Sequence, residues 1–301
     1  MNAKITRRKF IGSAVALPLV PSALKSAAEK TIKDPSLKPR CLVLWYEKPA
    51  SQWVEALPIG NGRLGAMVFG GAANERLQLN EDTLYAGGPY DPNNQEALQA
   101  LPEARKLIFE GRYKEANDLI GAKMMAHPIS QMHYETVGDL KLEFPNLLEA
   151  QNYRRELDLE TAIARVSYDS GGVKFTREAF ASPVDQVIVV HISDGHSKQI
   201  SFVASMDTPQ KAEITSEGSD MLVMRGVNGD DAGIKGALKI QSRVRVLTRG
   251  GKVTAEKDRI LVANADSAML LIAAATSYVN YKDTSGSPEI LTKTRIDAAC
   301  R

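Results

Sequence analysis

Apolar and polar residues alternate along much of this chain with the period of β-strands. Polar and apolar side chains alternate from Arg76 to Leu79 within residues 75–80, which indicates a strand with one face in a core. From residue 138 onward, short apolar or alternating runs recur, with glycine-rich turns at 169–172 and 249–251. We predict strands at residues 42–46, 64–69, 75–80, 140–144, 162–168, 173–181, 187–192, 200–206, 212–215, 222–226, 238–247, 252–255, 259–262 and 268–276. Many short strands joined by turns favour a sandwich over a parallel sheet.

A helical period interrupts this pattern between the third and fourth predicted strands. Pro102 suits the first turn of a helix, and Gly111 suits its end. Two apolar stripes at helical spacing occupy this region: Ala104, Leu107 and Ile108, then Tyr113, Ala116, Leu119, Ile120 and Met124. We therefore predict an αα-hairpin that packs over the sheet edge.

The last residues predict one more helix. It begins after Ser287, a residue type favoured at helix N-caps, and no closing cap follows it. The predicted fold is mainly β: a large antiparallel β-sandwich at residues 42–277 with an αα-hairpin insert. Residues 278–301 are then the start of a C-terminal linker helix that is cut short, so we expect a fragment of a longer protein.

The first residues predict an export signal. Arg7 and Arg8 precede an apolar run at residues 11–20 that is too short to span a bilayer, and Ser26 and Ala28 offer a cleavage point. This pattern is typical of a twin-arginine signal peptide at residues 1–28, which a polar leader at 29–41 follows. We expect a periplasmic or extracellular protein that has no membrane contact after the signal is removed.

Charge and cysteine content exclude several classes of protein. The 38 Lys and Arg residues nearly balance the 36 Asp and Glu residues, which is unlike a nucleic-acid-binding chain. Cys41 and Cys300 lie at opposite ends, and the four histidines lack metal-ligand spacing. We therefore expect no nucleic-acid partner and no cofactor, and we assign no metal site. Whether a calcium ion lies among the acidic loops stays open.

Gly60, Gly62 and Gly65 have the spacing of a dinucleotide-binding motif, with Glu81 and Asp82 about twenty residues on. A phosphate site of that kind needs a helix after the third glycine, but residues 66–71 are only long enough for a strand. We interpret the motif as a tight turn that enters the sandwich. Gly60 and Gly62 would supply positive φ there, and Gly65 a close backbone approach.

Five segments carry a family likeness: LWYEKPASQWVEALPIGNGRLGAMVFGG (44–71), ERLQLNEDTLYAGGPYDPNN (75–94), ALPEARKLIFEGRYKEAN (100–117), GDLKLEF (138–144) and YRRELDLETAIARVSY (153–168). In this order they resemble the N-terminal domain of glycoside hydrolase family 95, the α-L-fucosidases. The resemblance runs from about residue 42 to 275. One departure is Tyr85, where the family usually has tryptophan.

The resemblance implies a β-sandwich that packs, through a helical linker, against an (α/α)₆ barrel later in the chain. It also implies inverting hydrolysis of terminal α-L-fucosyl linkages, or α-L-galactosyl linkages in some members. The family's catalytic groups belong to the barrel, so the resemblance implies no catalytic residue in this chain. A fucosylated glycan and the barrel are then partners in the full-length enzyme, and the chain alone should show no turnover.

Glu81 and Asp82 are the most prominent carboxylate pair. An inverting hydrolase needs two groups about 6.5–9.5 Å apart across the scissile bond. Neighbouring side chains on a strand point to opposite faces, so these two should not face one sugar together. We predict that one of them caps or pairs with Arg63 or Arg76. Whether Arg63 has this structural role or faces a cleft stays open.

Two loops are candidates to line a cleft shared with a barrel. The first contains Asn80, Glu81, Asp82, Thr83 and Tyr85, whose ring would either stack on a sugar or seal a domain interface. The second contains Gln131, His133 and Tyr134, with His133 either a ligand or a satisfied loop histidine. We place Trp45 and Trp53 in the core or an interface.

Other functions remain open at this point. One alternative is a stand-alone carbohydrate-binding or interaction module, which titration with fucosylated oligosaccharides would distinguish. The same scaffold could also belong to an α-L-galactosidase or a disaccharide phosphorylase.

Overall fold

The computed structural model describes residues 42–195 and 199–301, and the predicted signal peptide and leader lie outside these ranges. Within them the chain forms the strands β1 (Val43–Tyr46), β2 (Leu57–Gly60), β3 (Leu64–Val68), β4 (Asn74–Glu81), β5 (Gly138–Glu143), β6 (Gln151–Asp158), β7 (Ile163–Ser170), β8 (Val173–Ser182), β9 (Val187–Asp194), β10 (Ile200–Asp207), β11 (Lys211–Glu217), β12 (Met221–Val227), β13 (Lys239–Arg249), β14 (Lys252–Glu256), β15 (Arg259–Ala265) and β16 (Ser267–Thr276). A 3₁₀ turn, Trp53–Glu55, precedes β2.

The strands form two antiparallel sheets. The nine-stranded sheet has the order β1-β6-β7-β8-β9-β16-β13-β12-β11, and the seven-stranded sheet has the order β14-β15-β10-β5-β4-β3-β2. The alternation that predicted a strand at residues 75–80 continues through β4, where Leu77 pairs with Leu140 of β5 and both are buried. The prediction of a mainly β, antiparallel sandwich is confirmed.

The core lies between the inner faces of the two sheets. The seven-stranded sheet contributes Leu77, Leu79, Leu140, Leu142 and Phe202, and the nine-stranded sheet contributes Ile188, Val190, Leu222, Met224, Leu270 and Ile272. Burying an aliphatic or aromatic side chain of this kind stabilises the fold by about 1.5–3 kcal/mol. These side chains make the sandwich a rigid support for its connecting loops.

The predicted αα-hairpin forms α1 (Ala97–Phe109) and α2 (Tyr113–Lys123) between β4 and β5. Gly111 ends α1 as predicted: its φ is +76°, and Arg112 N–H donates to the Leu107 carbonyl at 2.9 Å, as in a Schellman motif. Two details were wrong. Pro102 is the sixth residue of α1, not part of its first turn, and the helices pack mainly against each other rather than over a sheet edge.

The C-terminal helix α3 (Pro288–Ala299) lies on the outer face of the nine-stranded sheet. Ser287 is its N-cap, since the Ser287 hydroxyl accepts from Ile290 N–H at 3.4 Å. Ile296 packs on Val187, Val189, Leu271 and Ala273. Glu289, in its first turn, approaches the buried guanidinium of Arg243 to 3.5 Å. The helix is therefore docked by both apolar packing and charge.

Two strands, β2 and β6, were missing from the prediction. Pro58 in β2 and the charged run Arg154-Arg155-Glu156 in β6 break the expected alternation of apolar residues. Trp45 and Trp53 are about half exposed, which rules out the core for both, and their place in an interface stays a prediction. Among the described helices, none is long and apolar enough to cross a membrane.

Candidate functional site

A cleft of about 460 Å³ opens at one end of the sandwich. One side is the loop at residues 82–92, which we call the first wall, and the other is the loop at residues 278–284, the second wall. Met132 and Leu238 form the floor. Its volume falls in the range of small-ligand sites, about 300–1,000 Å³.

The first wall leaves β4 and is held by residues far along the chain. Leu84, within this wall, is fully buried. Asn228 is also buried, and its side-chain N–H₂ donates to the carbonyls of Tyr85 at 2.7 Å and Gly87 at 2.6 Å. The Asn228 amide oxygen accepts from Leu238 N–H at 2.9 Å. One side chain therefore positions both the first wall and part of the floor.

Replacing Asn228 with alanine should release the first wall. The substitution leaves the Tyr85 carbonyl and the Leu238 N–H without partners, and each unsatisfied group costs about 1–3 kcal/mol before relaxation. The Gly87 carbonyl keeps only the Ala237 N–H. We expect a fall in the unfolding free energy of at least about 2 kcal/mol. Urea denaturation measures it, with Asn93→Ala, at an exposed position directly after the first wall, as the control. Equal stabilities of the two variants would contradict this role.

The second wall is a short, well-braced turn after β16. Asn280 and Asp283 exchange backbone hydrogen bonds across it. Ser277 is fully buried at its base, where the Ser277 hydroxyl accepts from Lys239 N–H at 2.9 Å. Tyr278 N–H donates to the hydroxyl of Thr276 at 3.2 Å. This bracing holds Tyr278 and Tyr281 at the mouth of the cleft.

A chain of hydrogen bonds joins the two walls at their base. Thr83 donates its hydroxyl to the Glu81 carboxylate at 2.6 Å, and the hydroxyls of Thr83 and Thr276 lie 2.5 Å apart. Glu81 in turn pairs with Arg63 at 3.3 Å. The Arg63 guanidinium also donates to the Ala274 carbonyl and to both oxygens of Gln186. Arg63 and Glu81 therefore bind protein groups below the cleft.

Burial disfavours the charged forms of both Arg63 and Glu81. Desolvation raises the pKa of the Glu81 carboxyl, against the opposing effects of the Thr83 hydrogen bonds and the Arg63 charge. Desolvation also lowers the pKa of Arg63, although Glu81 opposes it. The neighbouring Arg295 has a lowered pKa as well, mainly through its own burial and then through the charge of Arg63.

The raised pKa of Glu81 predicts a pH dependence of stability. The folded state keeps the Glu81 proton at a pH where the unfolded state has lost it, so stability falls as pH rises above the ordinary value of 4.5 toward the folded pKa. Glu81→Gln removes this effect. We expect the stability of the wild type relative to this variant to decline with rising pH and then level off. Urea denaturation across this range is the measurement, and a relative gain on raising the pH would reverse the assigned sign.

The remaining candidates on the first wall separate into two groups. Asp82, Thr83 and Tyr85 line the cleft, and Asp82 is exposed. Asn80 lies on the outer face of β4, opposite Gly65, and does not line it. Glu81 points inward and Asp82 outward, as the alternation of strand side chains predicts. The predicted pairing of one of these carboxylates with Arg63 is present.

The candidate residues of the second predicted loop also lie in different places. Gln131 lines the cleft, whereas His133 lies outside it and its Nδ1 is 2.8 Å from Asp231 Oδ2. Tyr134 packs edge-on against Tyr85, with ring centroids 5.2 Å apart, and its hydroxyl donates to the Glu81 carbonyl at 2.9 Å. Burial first, then the charges of Glu81 and Asp82, raises the pKa of Tyr134 to about 12.

The glycine motif forms the β2–β3 hairpin, as predicted. Asn61 closes the turn, since its side-chain oxygen accepts from the N–H groups of Arg63 and Leu64. Gly62 has a φ of +90°, as predicted, but Gly60 has no positive φ, so the conformation predicted for Gly60 was wrong. The role predicted for Gly65 was wrong, because a Cβ there would meet only the Ile59 carbonyl, at an ordinary 3.5 Å. The motif thus orients Arg63 beneath the cleft.

The second wall of the cleft and the residue that holds the first wall in place were not identified from the sequence. Asn228, Tyr278, Asn280 and Tyr281 were not candidates. The Asn228-Gly229 pair is a turn signal that could have marked the first of them. The residues of the second wall carry no comparable local pattern.

A two-sheet antiparallel sandwich with an open, aromatic-lined cleft places the chain in the class of β-sandwich domains, with a candidate small-ligand site. The chain belongs to the family described as glycosyl hydrolase family 65, N-terminal domain, whose model matches residues 44–281.

Curated relatives give a second comparison. The chain is 37% identical to "Alpha-L-fucosidase 2" of Arabidopsis thaliana over 89% of this chain and 34% of that protein. It is 28% identical to "Probable alpha-fucosidase A" of Aspergillus niger over 81% of this chain and 31% of the relative. A protein of the same name from Aspergillus oryzae is 26% identical over 81% of this chain and 34% of the relative. The chain thus spans about a third of the length of these relatives.

These matches confirm the resemblance to the N-terminal part of a fucosidase-type glycoside hydrolase. The matching family model has the number 65. The assignment to family 95 in particular stays a prediction.

Proposed function

We propose that this chain is the N-terminal β-sandwich part of an exported, inverting α-L-fucosidase-type hydrolase that acts on terminal α-L-fucosyl linkages. The observation that carries the proposal is the 37% identity to the Arabidopsis thaliana protein over most of this chain. In the full-length enzyme an (α/α)₆ barrel, as a partner in cis, holds the catalytic groups, and the cleft of this domain faces that barrel.

The positions of Glu81 and Asp82 support the proposal that the barrel holds the catalytic groups. Inverting hydrolysis needs two groups on opposite sides of one sugar. Glu81 is buried and committed to Arg63 and Thr83, so only Asp82 of the pair is available in the cleft. One exposed carboxylate without a facing partner suits substrate binding better than acid–base catalysis.

Hydrolysis assays test the proposed activity. The 301-residue chain and the product of the complete gene would be incubated with an aryl α-L-fucoside and, in parallel, with an aryl α-L-galactoside. We expect no release by the chain alone, and release by the complete protein with inversion at the anomeric carbon. Sustained turnover by the chain alone would place catalytic groups in this domain. A complete protein inactive on both substrates would overturn the hydrolase assignment.

A separate experiment tests export. Residues 1–41 would be fused to a reporter that is active only after folded export, and compared with the double variant Arg7→Lys/Arg8→Lys. We expect the paired substitution to abolish export. Equal export of both fusions would contradict a twin-arginine signal.

A stand-alone carbohydrate-binding module is the second candidate, because both walls of the cleft lie within the described residues. It predicts that the complete gene encodes no barrel. Sequencing past Arg301 distinguishes the two candidates.

A further inference from the structure

We propose that the cleft itself binds a neutral pyranose ring of a glycan, stacked on the tyrosines of the second wall. The choice of a fucosylated glycan as the ligand rests on the proposed function. Residues of this domain line the cleft, so we expect binding in the absence of the catalytic groups.

Exposed tyrosine rings provide the stacking surface. Tyr278 is 44% exposed and Tyr281 is 72% exposed on the second wall, and Tyr85 is 46% exposed on the first. A tyrosine ring offers a large apolar face at low conformational cost, and its hydroxyl can stay hydrated. The C–H face of a pyranose is apolar and flat, so it complements such a ring. Three of them around one opening form a receptor for a ring-shaped ligand.

Polar groups at the rim match the hydroxyls of a sugar. Asp82 comes from the first wall, Gln131 from the loop before β5, and Asn280 and Thr284 from the second wall. A carboxylate accepts hydrogen bonds, and the amide and hydroxyl side chains both donate and accept them. Such a set can satisfy a ring with hydroxyls on several carbons. A mostly apolar lining with a few convergent polar groups is typical of small-ligand sites.

The charge of the lining indicates a neutral ligand. Among the described residues that line the cleft, Asp82 is the only charged one. A sulfated or uronic-acid glycan would be repelled by Asp82. The Lys282 ammonium lies over the Tyr281 ring, 5.2 Å from its centroid, but Lys282 does not line the cleft. Nucleic-acid bases also stack on tyrosine, but their binding depends on cationic contacts to the phosphates, which this lining lacks.

The walls are held in place before any ligand arrives. Thr83 and Thr276 join their bases, and Asn228 fixes the first wall to the floor. A prearranged site loses less conformational entropy on binding, which favours measurable affinity in a small, open cleft. We therefore expect weak but saturable binding in the millimolar range.

Titration of the full 301-residue chain with 2′-fucosyllactose, followed by NMR, tests the proposal. We expect Tyr278→Ala and Tyr281→Ala each to weaken binding about tenfold, as for other aromatic contact residues. Tyr278→Phe keeps the ring and should keep the affinity. The matched control is Tyr113→Ala, which removes a 68% exposed tyrosine on α2, outside the cleft. Unfolding midpoints check that each variant is folded.

Several results would overturn the proposal. They are no saturable binding of 2′-fucosyllactose, unchanged affinity in both alanine variants, loss of affinity in Tyr278→Phe, or equal affinity for a sulfated oligosaccharide. Lactose, tested in parallel, shows whether the fucosyl ring or the neighbouring sugars occupy the site. If the complete gene product hydrolyses the fucoside while the chain binds no glycan, this inference fails and the proposed function stands. If the chain binds the glycan but the complete protein does not hydrolyse the fucoside, the proposed function fails and this inference stands.

Discussion

Replacing Arg177 with alanine is expected to lower the free energy of unfolding by about 3–5 kcal/mol, the range for breaking a buried ion pair. The Arg177 and Glu75 side chains are 4% and 0% exposed and lie 2.6 Å apart, between strands of opposite sheets. The other Glu75 oxygen accepts from the N–H groups of Gly70 and Arg76. The substitution therefore leaves a buried carboxylate without its cation. Urea denaturation at neutral pH is the measurement.

Two further variants separate loss of the pair from loss of packing. The double substitution Glu75→Gln/Arg177→Met removes both charges and keeps a side-chain oxygen for the Gly70 and Arg76 N–H groups. It should recover much of the lost stability, because desolvating the two charges offsets their attraction. Arg165→Ala breaks a pair with Glu178 whose side chains are 45% and 32% exposed, and should cost less than about 1 kcal/mol. A double variant no more stable than Arg177→Ala would show that packing, not charge, dominates.

The second large effect is expected at Arg63. Arg63→Ala removes the cation beside buried Glu81 and the donors to the Ala274 and Gln186 oxygens, which should cost about 3 kcal/mol. Arg63→Lys keeps the charge but cannot reproduce the forked set of hydrogen bonds, so its stability should be intermediate. The thermal unfolding midpoint and urea denaturation both report the change.

Arg76→Ala is the matched control for Arg63, since Arg76 pairs with Asp139 from a side chain that is 43% exposed. Its cost should stay below about 1 kcal/mol. Equal losses for the two alanine variants would contradict the buried role assigned to Arg63. Reduced glycan binding by Arg63→Lys at unchanged stability would instead indicate that Arg63 contacts the ligand.

Local pattern was enough to predict most of the sandwich. Strands such as β4 and β5 alternate cleanly, because one face meets the core and the other meets solvent. Strand β6 escaped detection because it carries adjacent charges, and Arg155 is nevertheless almost fully buried. The Arg155 guanidinium donates to the carbonyls of Lys48 and Glu55 and lies over Tyr46. Only tertiary partners make such a position tolerable, and no local pattern encodes them.

The candidate site shows the same limit. Asp82, Thr83, Tyr85 and Gln131 lie in loops that the sequence marked, and they meet in one cleft. The opposite wall joins them through Thr276, 193 positions from Thr83. Thr83 follows β4 of the seven-stranded sheet, and Thr276 ends β16 of the nine-stranded sheet. The packing of the two sheets brings these residues together, and residue spacing along the chain does not reveal it.

The αα-hairpin interrupts the chain between two strands that are direct neighbours in the sheet. β4 and β5 keep their ladder, Leu77 opposite Leu140, although residues 82–137 separate them along the chain. The entropic cost of closing a connection rises only slowly with its length. The stability of the sheet therefore depends little on how much chain is inserted there. The connection at residues 82–137, which includes the first wall of the cleft, can therefore be lengthened, shortened or replaced in evolution while the pairing of β4 with β5 is kept. Related domains should diverge in ligand preference at this junction first, on an unchanged scaffold.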